Sequence, residues 1–317
     1  MFSVSGLRGI VGTDLFPETI VQYAAHFGQF VGRGVIVIGR DTRRSGRTFR
    51  KAVIRGLHAV GCRVIDLGVV PTPTVVYMVR KLRARGGIAI TASHNPSQWN
   101  ALKFVSARGQ FLNKQEFRTF RRRTECSAVA VPDLKTAYEP DILGVGALHH
   151  IDAIVRALTM QAAGLRVGVD AVNGAGSIAL PQLLERIGCT VHTIHCHPSP
   201  TFPRSPEPLP AHLSALRRLV RDRNLDIGFA CDPDADRLAC IDEKARPIGE
   251  EKTLVLAADY VCTRTKRPIV TNLSTTALID HIAKKHGVPV MRTPVGEAHV
   301  VSKMLQTNAA MGGEGNG

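Results

Sequence analysis

Ser93, His94 and Lys103 lie close together in residues 86–104, GGIAITASHNPSQWNALKF. Residues 88–90 are apolar and predict a buried strand. Ser93-His94-Asn95-Pro96 then forces a turn, because the residue before a proline is pushed out of the helical region. That turn lifts a hydroxyl from the end of a strand, beside an imidazole and within reach of an amine. Taken alone, such a turn reads more readily as a side-chain-stabilised loop without chemistry. A second group is CDPDADR, where Asp232, Asp234 and Asp236 crowd a tight loop between two apolar strands. Three carboxylates this close repel one another unless a cation neutralises them, and hard oxygen donors select Mg²⁺ over soft metals. A solvated acidic turn is the alternative. An EF-hand is excluded, since Arg237 stands where that loop requires glycine and both flanks read as strands.

TASHNP followed by NALKF, with GRDTR before it and DPDADR, TPVGEAHV and GGEGNG after it, resembles the α-D-phosphohexomutases: the phosphoglucomutase, phosphomannomutase and phosphoglucosamine mutase superfamily. The resemblance implies that Ser93 carries a phosphoryl group passed to and from a hexose phosphate, with a sugar bisphosphate as intermediate and activator. It implies one Mg²⁺ held by Asp232, Asp234, Asp236 and the phosphorylated Ser93. Arg8, in the opening segment FSVSGLRG, stands where the family's arginine reaches phosphate, and Arg237 inherits a contact to phosphate or substrate. Glu314 takes the part of the glutamate that grips sugar hydroxyls, and Glu297 and His299 are further substrate contacts. Asn316 and Gly317 look like the phosphoglucosamine mutase branch, which tilts the substrate toward glucosamine phosphate. Either Lys103 or His94 handles the hydroxyl proton. The charged residues of GRDTR read as an ion-paired turn near the site.

The elements that must position these residues alternate between strand and helix patterns. Strands at 35–38, 63–67 and 88–90, separated by helices to about residue 60 and after Pro73, make a βαβαβ run that predicts an α/β layer. A second unit opens with RVGVDAVNGAGS, a strand running into a Gly-rich turn that fits neither nucleotide-binding pattern and is read as structural. Residues 197–210, rich in proline, predict a stiff loop. His192, His195 and His197 alternate as a strand would present them and read as packed or solvated side chains rather than metal ligands. A third unit repeats the alternation from residue 249. The fold class is therefore α/β: tandem α/β domains with mixed, mostly parallel sheets, three repeats of which the last is incomplete. The expected boundaries are 1–140 with the serine loop, 141–247 with the acidic loop, and 248–317 ending at the sugar loop. The resemblance implies a fourth domain with a phosphate-binding loop, so the chain reads as C-terminally truncated. Losing that clamp predicts turnover lower by orders of magnitude.

With 44% hydrophobic and 21% charged residues, the chain has ample material for globular packing and is not a disordered protein. Forty-one Lys and Arg against 26 Asp and Glu give a net charge of +15, which favours phosphorylated ligands or polyanions. A basic nucleic-acid-binding protein is the lower alternative, disfavoured because only 5% of residues are aromatic and the basic residues are scattered apart from Arg121-Arg122-Arg123. Seven cysteines, odd in number and with no CxxC pair, read as reduced core residues. No leader-like segment or long apolar run is present, so no membrane partner is expected and the location is read as cytoplasmic. The expected partners are a hexose phosphate substrate and either no second subunit or one identical copy, with a separate C-terminal fragment as a further option.

Overall fold

The computed structural model describes residues 1–126, 128–131, 138–158 and 162–315. Asn316 lies outside them. Packing divides the described residues into two units, residues 1–207 with 231–236 and residues 208–230 with 237–317.

The first unit runs β1 (Phe2–Ser3), β2 (Gly6–Ile10), α1 (Pro17–Phe30), β3 (Gly34–Arg40), α2 (Gly46–Ala59), β4 (Cys62–Val69), α3 (Thr72–Lys81), β5 (Gly86–Ile90), β6 (Trp99–Ser106), β7 (Gln110–Phe111), α4 (Lys114–Cys126), β8 (Asp141–Ile142), α5 (Gly146–Ala157), β9 (Arg166–Asp170), α6 (Gly176–Arg186) and β10 (Thr190–Ile194). Its main sheet has the order β1-β2-β6-β5-β3-β4-β8, with β7 on β6. β3 pairs in parallel with β4 and β5, whereas β6 runs antiparallel to β2, β5 and β7, so the sheet is mixed. The short strand at 141–142 joins the edge of this sheet, Ile65 opposite Asp141.

β3 and β5 are continuous apolar runs because both their faces are covered. On one face α1 and α2 bury Phe27, Phe49 and Leu57 against Ile36, Ile38, Ile88 and Ile90. On the other, Met78 and Val79 of α3 cover Val37, Ala89 and Val105. α1 and α2 approach so closely that a methyl group on Gly56 would sit 2.2 Å from the Val21 carbonyl oxygen.

This arrangement decides where the chemistry falls. Arg40 at the end of β3 is in register with Ile90 of β5 and Val69 of β4. The three following loops, carrying Asp41 to Arg43, Thr72 and Thr91 to Asn95, therefore leave the sheet at the same carboxyl edge, where ligands of α/β sheets gather. β9 and β10 form a parallel pair with Asp170 opposite Ile194. β10 stops at Ile194, and His195 is left-handed with φ 48°. The strand-like alternation of the histidines is thereby corrected: only His192 is on the strand, while His195 turns back to pair its Nδ1 with Asp170 Oδ2 at 3.0 Å. The Asp170 carboxylate, shared with Arg204, draws that ring out of the strand's path.

The second unit contains α7 (Ser214–Asp222), most of β11 (Ile227–Cys231), β12 (Leu238–Ile241), α8 (Glu250–Arg264), β13 (Ile269–Asn272), α9 (Leu278–His286), β14 (Val290–Thr293), α10 (Glu297–Thr307) and β15 (Met311–Gly313). β13 is the centre of a parallel sheet, between β14 and β15. Ala258, Cys262, Ile269, Ile279 and Ala283 form its core. α9 ends on Gly287 at φ 65°, the left-handed turn glycine adopts without strain. No helix among the described residues is long and apolar enough to cross a membrane, and the seven cysteines are unpaired.

Candidate active site

Ser93 sits in the left-handed region at φ 51°, an uncommon place for a residue with a side chain. The conformation is held from several sides. Its N–H donates to Thr91 Oγ1 at 3.0 Å, and the Thr91 hydroxyl donates in turn to Asp41 Oδ2 at 2.7 Å. Arg43 lies beneath with a fully buried side chain. Its Nε donates to Asp41 Oδ2, Nη1 to the carbonyls of Pro96 and Trp99, and Nη2 to those of Ser93 and Asn95, at 2.5–3.1 Å. Burial pushes the Asp41 carboxyl up, and the Arg43 charge and the Thr91 bond pull it only part of the way back. GRDTR is thus the ion-paired turn the sequence predicted, and it also forms the floor of the serine loop. Such strained conformations persist where the surroundings over-determine them.

The Ser93 hydroxyl donates to Asp232 Oδ2 at 2.8 Å, although the two residues are 139 apart in the chain. His94 Nδ1 is 3.4 Å from Ser93 Oγ. Arg8 on β2 reaches the same loop, its Nη1 donating to Asn95 Oδ1 at 3.0 Å. Lys103, on β6 beside Ala89 of β5, donates from Nζ to Asp234 Oδ2 and Asp236 Oδ2, each at 2.7 Å. One carboxylate oxygen from each of Asp232, Asp234 and Asp236 falls within 4.8 Å of the others. Asp232 and Asp234 are buried, and Asp236 forms the outer rim.

Burial pushes the Asp232 carboxyl well above the usual carboxylate range, and the charges of Asp234 and Asp236 push the same way. Burial acts on Asp234 too, but the Lys103 ammonium and hydrogen bonds from Asp232, Lys103 and Thr72 outweigh it and hold Asp234 below its usual value. For Lys103 burial alone would favour the neutral amine. The two carboxylates reverse this and keep it an ammonium.

Thr72 was not singled out by the sequence. Its N–H donates to the Asp234 carbonyl at 2.9 Å and its hydroxyl to Asp234 Oδ2 at 2.6 Å. PTPT reads as a helix start, and nothing local to it signals a partner 162 residues away. The carbonyl clamp by Arg43 was equally silent, because backbone acceptors carry no side-chain identity.

In the second unit Glu314 is fixed by Asn272 Nδ2 at 2.6 Å and by the Gly296 N–H at 2.7 Å, both to Oε1. The sugar-loop glutamate and the TPVGEAHV loop are therefore brought together. Glu297 opens α10 and the His299 N–H donates to the Gly296 carbonyl. Arg237 directly follows Asp236 and belongs to this unit.

Models of phosphoglucomutase/phosphomannomutase alpha/beta/alpha domains I, II and III match residues 1–125, 148–247 and 250–317 in turn. A Thermococcus kodakarensis phosphoglucomutase/phosphomannomutase is 36% identical over all of this chain and 72% of its own length. A Methanopyrus kandleri protein named a probable phosphoglucosamine mutase is also 36% identical, over all of this chain and 70% of its own. Among solved structures, a phosphoglucomutase/phosphomannomutase family protein from Burkholderia thailandensis superposes with a TM-score of 0.86 at 26% identity, covering 100% of this chain and 72% of that one. Three tandem α/β domains, in this order and over the whole length, make the chain a member of the phosphoglucomutase/phosphomannomutase family, the phosphohexomutases.

Proposed function

We propose that Ser93 is the phosphoryl carrier of this mutase, and that it interconverts the 6- and 1-phosphates of a hexose, glucosamine foremost, through a sugar bisphosphate. The observation that carries the reading is the 2.8 Å hydrogen bond from Ser93 Oγ to Asp232, which joins the serine loop to the acidic loop. The acidic loop suits one Mg²⁺: the donors are all carboxylate oxygens, and Asp234 Oδ1 is buried with no hydrogen-bond partner. When bound there with Asp232, Asp234, Asp236 and a phosphoryl oxygen of Ser93, Mg²⁺ supplies neutralisation of the transferring group's charge.

The chain's own groups divide the remaining work. The sugar hydroxyl oxygen bonds to phosphorus as the Ser93 Oγ–P bond breaks, the hydroxyl proton passes to a base, and Oγ regains a proton. His94 Nδ1, 3.4 Å from Oγ, is placed to handle the proton at Oγ. Lys103, held as an ammonium by its two carboxylates, cannot accept a proton and serves as electrostatic stabiliser. Arg8, placed on the serine loop through Asn95, adds positive charge for phosphate. The family resemblance assigns sugar-phosphate contacts to Arg237, Glu297, His299, Glu314 and Asn316, the last outside the described residues, and the sugar hydroxyls to Glu314. The name of the Methanopyrus relative and the sequence EGNG favour glucosamine over glucose and mannose. The reading also makes the protein a cytoplasmic monomer or homodimer.

The test is to incubate the chain with Mg²⁺ and glucosamine, glucose or mannose 1,6-bisphosphate, and to follow phosphoryl uptake by peptide mass spectrometry. One phosphoryl group on the peptide containing Ser93, absent from Ser93→Ala, is expected, fastest from the glucosamine donor. No uptake, or equal uptake by Ser93→Ala, overturns the carrier assignment.

A further inference from the structure

The proline-rich segment that the sequence marked only as stiff touches both halves of the site. Phe202 packs its ring against the Arg43 guanidinium, 5.2 Å from carbon to centroid. Arg43 is the residue whose other contacts hold the serine loop. Two residues on, Arg204 donates from Nη2 to the Cys231 carbonyl at 2.7 Å, the peptide directly before Asp232, and from Nε to Asp170 Oδ2 at 3.1 Å. Its side chain is only 6% exposed and Asp170 is fully buried. The segment is itself tied down. Asn173 accepts the His197 N–H on its side chain and the Ser199 N–H on its carbonyl, and donates from Nδ2 to the Thr201 carbonyl. Pro198, Pro200, Pro203 and Pro206 fix φ along it, which leaves little freedom to absorb a shift at either end.

We propose that residues 197–206 form a brace that sets the spacing between the serine loop and the acidic loop, with Arg204 as the positioning residue for Asp232 and Phe202 as the support of Arg43. Neither side chain touches the reacting atoms, so both act through the backbone they hold. The inference rests on reading those two loops as the phosphoryl-transfer site.

Three variants test it: Arg204→Ala, Arg204→Lys and Phe202→Ala. Leu184→Ala, in the buried face of α6, is the control for simple loss of stability. Mn²⁺ affinity by electron paramagnetic resonance, phosphoryl uptake at saturating hexose bisphosphate, and Tm are measured on each. Arg204→Ala is expected to weaken Mn²⁺ binding about 10–100-fold, as loss of a group supporting a metal ligand does. It should lower the saturated uptake rate while leaving the half-saturating donor concentration nearly unchanged. Arg204→Lys recovers only part, because an ammonium cannot bridge Asp170 and Cys231 as a guanidinium fork does. Phe202→Ala lowers the uptake rate with little change in Mn²⁺ affinity. Native affinity and native saturated rate in Arg204→Ala overturn the brace, and so does the same loss in Leu184→Ala at matched Tm. If the wild-type chain binds Mn²⁺ but takes up no phosphoryl group, the carrier assignment fails while the Mn²⁺ comparison still decides the brace.

Discussion

Arg43 presents all of its hydrogen-bonding nitrogens to one carboxylate and four carbonyls, and no water reaches it. Replacing it by alanine strands a buried Asp41 and frees the loop that keeps Ser93 left-handed. Breaking a buried pair from one side costs about 3–5 kcal/mol. Arg43→Ala is therefore expected to lower the unfolding free energy from urea titration by that much, and Arg43→Lys to recover less than half, since lysine lacks the planar fork. An unfolding free energy within about 1 kcal/mol of wild type would show that the four carbonyls find water instead. At this scale the chemical groups were legible and their supports were not. Ser93, Lys103 and the three aspartates announce themselves through type and spacing. Thr72, Arg43 and Arg204 act on main-chain atoms or on partners far along the chain, and a main-chain carbonyl looks alike at every position.

Among the elements, the Gly-rich turn between β9 and α6 shows why its glycines matter. A methyl group on Gly174 would lie 2.5 Å from the Pro233 carbonyl oxygen and 2.7 Å from its Cα, and the Ala175 N–H donates to that same carbonyl at 2.7 Å. The turn is a seat for the acidic loop. Gly174→Ala must displace either backbone, so a stability loss of about 1–3 kcal/mol with weaker Mn²⁺ binding is expected, measured by calorimetry and titration on one preparation. A second element-scale outcome concerns pH. His150 on α5 stacks on Tyr77 of α3 and meets Thr74 Oγ1 at 3.0 Å, and burial holds its pKa below the ordinary 6.5. The unfolded chain then binds a proton that the folded chain resists. Stability is full above about pH 6.5, falls as pH drops through that value, and levels off below the lowered folded pKa. Urea midpoints at pH 7.5 and 5.5 should differ in that sense, and by less in His150→Gln. The alternation of strands and helices was readable from apolar runs bounded by glycine and proline. The sheet order was not, because nothing local tells β6 to insert antiparallel between β2 and β5. The end of β10 at Ile194 was set by Asp170, outside its own segment.

For the whole molecule, the +15 charge is its largest electrostatic property. A phosphorylated donor approaching it is steered, and steering weakens as salt screens it. The second-order rate of phosphoryl uptake should fall at least about tenfold between low and high ionic strength, while the saturated rate stays put. A salt-independent second-order rate would assign the positive charge to solubility alone. That charge was fully legible beforehand, as was the family, since its motifs occur in the family's order along the chain. The long reach of the site has a further consequence during synthesis. Lys103 emerges 131 residues before Asp234, and Ser93 139 residues before Asp232. At ribosomal rates of about 5–20 residues per second, that is a wait of about 7–30 s. For that interval the nascent first sheet holds a lysine with neither of its carboxylates, which the acidic loop later brings. The arrival of the acidic loop is thus the event that supplies both counter-charges and completes the site.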